Sequence, residues 1–150
     1  MLRREFVKVS IGTGAALVAA PALLRALGAP VKMTVYKSLS CGCCTAWVSY
    51  MRAQGFTADV KDMNDLSEIK RSLGVPVKLE SCHTALVGAY VIEGHVPADL
   101  VKKILSEKPQ IVGLAAPGMP ADAPGMGNGK TPYDVIAWDR AGKTSVFAKR

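Results

Sequence analysis

An α/β fold is predicted for this chain: a small mixed sheet with flanking helices, followed by a Gly/Pro-rich loop and a C-terminal β-hairpin. Two patterns carry the prediction. Residues 31–37 alternate Val31, Met33 and Val35 with Lys32, Thr34 and Tyr36, the period of a half-buried strand. Residues 43–54 instead repeat apolar side chains at Trp47, Val48 and Met51, as one face of a helix does. At 150 residues, 49% apolar and 21% charged, the chain is long enough for one domain with its own core.

The elements follow in order. The first strand ends at the Ser38-Leu39-Ser40 loop, and the helix after it ends at Gly55, a residue suited to a C-terminal cap. Residues 56–62 read as a second strand. Asp65 and Leu66-Ser67-Glu68 open a short amphipathic helix carrying Ile69 and Leu73, closed by Gly74 and Pro76. Two apolar runs, 84–87 and 89–92, make a hairpin around Gly88, after which Glu93-Gly94 turns the chain. His95 and Pro97 lead into a helix whose face is Leu100, Val101, Ile104 and Leu105. The order β-α-β-α-β-β-α is that of a thioredoxin-like layer of helices on a small sheet. Residues 110–130, rich in Gly, Pro and Ala, read as loop, and 133–138 with 144–148 read as the C-terminal hairpin. Trp47 and Trp138 are expected in the core or as lids.

The first 29 residues read as something other than fold. Arg3-Arg4, then Phe6 and Lys8, precede an apolar run of sixteen residues, 9–24, that contains Gly12, Gly14 and Pro21. This has the form of a twin-arginine export signal, and it falls short of the ~20 apolar residues a membrane-spanning helix needs. Cleavage is expected near residues 26–29, which leaves 30–150 as a periplasmic domain with no stable membrane span. Without Arg3, Arg4, Lys8, Arg25 and Glu5, the formal charge falls from +7 to +4. The remaining basic residues are scattered, so nucleic acid is not an expected partner.

The chemistry sits in SCGCCT, residues 40–45. Cys41, Cys43 and Cys44 crowd the first turn of the predicted helix, where the helix dipole favours thiolate over thiol. Cys82, the fourth cysteine, falls just before the next strand, where thioredoxin-like proteins present a proline to their reactive cysteines; it is expected to face the cluster. Three readings are open. Bridging residues this close restricts the unfolded chain little, which counts against purely structural disulfides. Cys41-Gly42-Cys43-Cys44 contains the C-x-x-C of a dithiol oxidoreductase, although a dithiol needs only two of the sulfurs. Adjacent thiolates suit soft ions held in a shared cluster, and Cu(I) accepts such bridging ligands better than a single tetrahedral zinc would. His83, beside Cys82, is a further candidate ligand, and His95 a weaker one. Met119 and Met126 offer thioethers, which suit Cu(I), although methionines in such a loop also serve as gap fillers.

Several segments together, S-L-S-C-G-C-C-T-A-W (38–47), L-G-V-P (73–76), S-C-H-T-A-L-V (81–87), Y-V-I-E-G-H-V-P (90–97), G-L-A-A-P-G-M-P (113–120) and Tyr133-Asp134-Val135, resemble the CopG-like periplasmic copper-resistance proteins. These are unrelated to the ribbon-helix-helix repressors of the same name. The resemblance implies a thioredoxin-like fold, a copper site built from Cys41, Cys43, Cys44 and Cys82 with His83 next in line, and a role in copper tolerance. It also implies redox conversion between Cu(I) and Cu(II), with Met119, Met126 and His95 as supporting candidates. The expected function is thus a periplasmic protein that holds Cu(I) on clustered cysteines, in a multinuclear cluster or not. Its partners would be copper ions, other copper-handling proteins or an electron donor. The alternatives are a thiol-disulfide oxidoreductase and a copper carrier without catalysis.

Overall fold

A computed structural model describes residues 29–127 and 131–150. The predicted export signal lies outside the described residues except for Ala29. Among the described residues no helix is long and apolar enough to cross a membrane.

The chain runs β1 (Val31–Ser38), α1 (Gly42–Ala53), β2 (Phe56–Met63), α2 (Ser67–Ser72), a 3-10 turn (Val77–Leu79), β3 (His83–Val87), β4 (Tyr90–Gly94), α3 (Ala98–Glu107), β5 (Gly113–Ala116), β6 (Asp134–Trp138) and β7 (Thr144–Lys149). The first seven regular elements keep the expected β-α-β-α-β-β-α order. All strands join one mixed sheet in the order β2-β1-β3-β4-β5-β6-β7. The β1/β2 and β4/β5 pairs are parallel and the rest antiparallel.

Strand alternation sorts the core onto two faces. Met33, Val35, Ile92 and Leu114 pack with Trp47, Val48 and Met51 of α1 and with Leu100, Val101 and Ile104 of α3. Val91, Ala115 and Trp138 point the other way, against Val75 and Leu79 of the segment after α2. In α1 the buried residues are Cys44, Trp47, Val48 and Met51, so a cysteine begins the same apolar stripe that anchors the helix. Gly55 ends that stripe with φ +92°, a conformation glycine adopts without a Cβ clash.

Two expectations need correction. The stretch 110–130 is not all loop, because β5 lies within it, fully buried between β4 and β6. Its sequence, Gly-Leu-Ala-Ala, is too short for a periodic signal and small because its neighbours are close. A Cβ on Gly113 would lie 2.0 Å from the Val91 carbonyl oxygen and 2.6 Å from the Trp138 ring. Glu93-Gly94 is likewise no turn: both residues belong to β4, and Glu93 is fully buried. A carboxylate inside a strand reads as a break until its partners are known.

Candidate metal centre

Strand register brings the candidate residues to one end of the sheet. In the antiparallel β1/β3 pair, Lys37 lies opposite His83, so β3 starts where β1 delivers the chain to Cys41. In the β3/β4 pair Thr84 lies opposite Glu93, so β4 runs out to His95 at that same edge. Gly94 pairs with Ala116 in parallel β5, which releases the loop carrying Met119 and Met126 there too. Residues far apart in sequence thus converge through pairing alone.

Cys41 caps α1, its sulfur accepting the Cys44 amide at 3.3 Å. Cys41 and Cys44 form a disulfide, whereas Cys43 and Cys82 are free. The Cys43 sulfur is 3.6 Å from that of Cys41 and 3.9 Å from that of Cys82. One ligand atom from each of the four cysteines falls within 4.8 Å of the others, and the same holds for Cys82, His83 and His95. Cys82 therefore belongs to both an all-sulfur set and a sulfur-nitrogen set.

The surroundings select protonation states. Burial, reinforced by the Cys43 thiol beside it, pushes the Cys82 thiol up to about 11. His95 Nδ1 lies 2.7 Å from the Pro124 carbonyl, an oxygen that only accepts, so Nδ1 carries the proton. Its Nε2 lone pair then faces the Cys82 sulfur at 3.1 Å, as a thiol acceptor or as a metal ligand. His83 Nδ1 is 3.5 Å from the same sulfur. The His83 ring packs against Trp47 at 4.4 Å and edge-on to His95 at 4.9 Å. Its Nε2 has no hydrogen-bond partner among the described residues.

Burial favours the neutral form of both imidazoles in the folded chain. Burial lowers His83 well below the usual histidine range, helped by His95 and Lys70, and burial lowers His95 against the opposing Pro124 carbonyl. Below pH ~6.5 the unfolded chain therefore binds more protons than the folded one, and stability falls with pH, by at most about 1.4 kcal/mol per pH unit for each histidine. The metal-free protein should unfold at lower urea concentration at pH 5.5 than at pH 7.5, and His83→Gln should flatten that dependence. An equal dependence in the variant would show that His83 is not held neutral.

The methionines are placed differently from the thiols. Met119 is exposed, with φ +54°. Met126 is half-buried in a turn, its amide donating to Ala123 at 3.0 Å. It follows Gly125, where a Cβ would lie 2.6 Å from the Trp47 amide nitrogen and 3.1 Å from the Cys43 carbonyl oxygen. The 117–126 loop is thus seated on the start of α1.

A second cluster behind Cys82 escaped the sequence reading. Glu93 Oε1 accepts from Lys70 Nζ at 2.5 Å and from the Ser81 amide at 2.6 Å, and Oε2 accepts from the Thr84 hydroxyl at 2.6 Å. Lys70 also donates to Thr84 at 2.9 Å. Lys70 gave no signal, since lysine on a short amphipathic helix reads as solvated. The only hint was a lone acid in an apolar strand.

The donor set tests well against a soft ion. With the Cys41–Cys44 bond reduced, four thiols and an oriented imidazole lone pair, at a helix start with no acid in its first turn, match thiophilic copper and offer no carboxylate for a hard cation. Comparison with known proteins points the same way. A family described as "Protein of unknown function, DUF411" matches residues 79–126, the stretch that carries Cys82, His83, His95 and Met126. No curated protein matches the sequence. Two solved structures of a copper resistance protein, copG, in Form 1 and Form 2, each align with TM-score 0.76 and 39% identity. Each alignment covers 81% of this chain and 98% of the other. Identity at that level, sustained over nearly the whole of the solved chain together with its fold, makes this chain a member of the CopG-like family of copper-resistance proteins.

Proposed function

We propose that this protein is exported through its N-terminal twin-arginine signal and acts in the periplasm in copper tolerance, holding Cu(I) on Cys41, Cys43, Cys44 and Cys82. The convergence of four sulfurs within 4.8 Å carries the reading. His95, through Nε2, and His83 complete the set on the Cys82 side. With thiolates this close, one sulfur bridges two ions more readily than four sulfurs surround one, so more than one Cu(I) per chain is expected.

The disulfide gives the site a redox dimension. Two electrons and two protons convert Cys41–Cys44 to two thiols, which raises the free sulfurs from two to four. In reverse, two thiolates and two Cu(II) ions give one disulfide and two Cu(I) ions, the thiolates losing the electrons that the copper gains. Interconversion of Cu(I) and Cu(II) then needs a dithiol or equivalent electron donor to restore the thiols.

The experiment is Cu(I) titration of anaerobically reduced protein and of the disulfide form. Reduced protein should take up more than one Cu(I) per chain and the disulfide form fewer. A second reading, thiol-disulfide exchange on periplasmic proteins, is favoured by the disulfide spanning C-x-x-C at a helix start. Reduced protein that stays metal-free yet rapidly reduces insulin disulfides would establish that reading instead.

A further inference from the structure

Cys82 carries both ligand sets, yet it lies in an irregular stretch between the 3-10 turn and β3, where the sheet offers Ser81 no partner. We infer that the buried Lys70–Glu93 pair is a positioning device that clamps the Ser81-Cys82 backbone and so sets where the Cys82 sulfur stands. The inference rests on the reading of the cysteine edge as a copper site.

The geometry carries it. Glu93 is the acceptor for the Ser81 amide, and its other contacts leave it no freedom to move: Lys70 holds Oε1 from α2, and Thr84 holds Oε2 from β3. Lys70, Thr84 and Glu93 are all buried. From the other side Ser81 abuts Gly94, where a Cβ would lie 2.5 Å from the Ser81 hydroxyl oxygen. One carboxylate thus joins three segments at the base of the site, and two residues further on, just past the end of β4, the chain presents His95. The clamp therefore sets the Cys82 end of the 3.1 Å Cys82–His95 contact, while the Pro124 carbonyl orients the His95 end.

Stability alone does not explain such a pair. Burying two charges costs desolvation that their attraction barely repays, and apolar residues of similar volume usually serve the fold as well. Apolar residues cannot accept the Ser81 N–H. Groups that orient metal ligands from behind typically change metal affinity 10–100-fold when lost.

The test is the paired replacement Lys70→Met with Glu93→Leu. The variant should stay folded and bind Cu(I) more weakly by about tenfold or more. In a Cys82→Ser background the same replacement should leave the residual Cu(I) affinity unchanged within about twofold, because the clamp acts through Cys82. Unchanged affinity in the first background, or an equal loss in both, would overturn the inference. If the apolar pair does not fold, Glu93→Gln, which keeps an oxygen for the Ser81 amide, should retain Cu(I) better than Glu93→Ala; equal affinities would reject the clamp. Amide hydrogen exchange in the metal-free protein separates this inference from the copper reading. Ser81 should exchange at least about tenfold faster in the paired variant even if copper proves not to be the cargo, and an unchanged rate would reject the clamp by itself.

Discussion

Cys82→Ser is expected to weaken Cu(I) binding by ~100-fold, about 3 kcal/mol, measured by competition with a Cu(I) chelator under anaerobic conditions. The sulfur it removes lies 3.9 Å from Cys43 and 3.1 Å from His95 Nε2, so the change disconnects the imidazole side from the thiolate side. A hydroxyl does not replace it, because a hard, neutral oxygen is a poor ligand for a soft cation. His95→Ala should cost less, about tenfold, since it removes one neutral donor and leaves all four sulfurs. Affinity within threefold of the parent in Cys82→Ser would mean that copper is held by Cys41, Cys43 and Cys44 alone. The fold should survive, because Cys82 is only partly buried and lies outside the apolar clusters.

Trp47→Ala is expected to lower stability by about 3–5 kcal/mol, read from urea unfolding of the metal-free protein. Trp47 is fully buried, its indole N–H donates to the Val96 carbonyl at 3.0 Å, and its ring packs on His83. Its backbone also forms the seat for Gly125. Alanine would leave a cavity under α1, an unpaired carbonyl at Val96 and an unsupported imidazole. Trp47→Phe should recover most of the packing but not the hydrogen bond, leaving a deficit of about 1–2 kcal/mol. A cost below 1 kcal/mol for alanine would show that α1 is anchored elsewhere. Because Trp47 shares its helix with Cys43 and Cys44, the same substitution should weaken Cu(I) binding as well, by loosening the start of α1.

Much of this was readable residue by residue. Alternation in 31–37 and the stripe of Trp47, Val48 and Met51 pointed to β1 and α1, since both periods arise from the geometry of a single element. The cysteines could be named as candidate donors from crowding: three in four positions are too many for one dithiol. The misses have a common origin in contacts between distant segments. Strand β5 lacked a signal because its small residues answer to the Val91 backbone and the Trp138 ring. Glu93 looked like a turn residue because its partners, Lys70 and Ser81, come from other elements. The C-terminal hairpin was expected, but its membership in the same seven-stranded sheet depends on β5 supplying an edge for β6.

Reading along the chain was enough to name the candidate donors and the elements that carry them: the thiols of Cys41, Cys43 and Cys44 at a helix start, Cys82-His83 at the head of a strand, and His95 before another helix. Residue type and local periodicity are properties of neighbours along the chain, so they survive without a fold. Which of these groups meet follows from folding in three dimensions. The fold paired Cys41 with Cys44, directed the His95 lone pair at Cys82 through the Pro124 carbonyl, and set a buried carboxylate behind Ser81. Those choices depend on strand register and close packing between segments tens of residues apart, where a shift of one residue would turn every side chain to the opposite face.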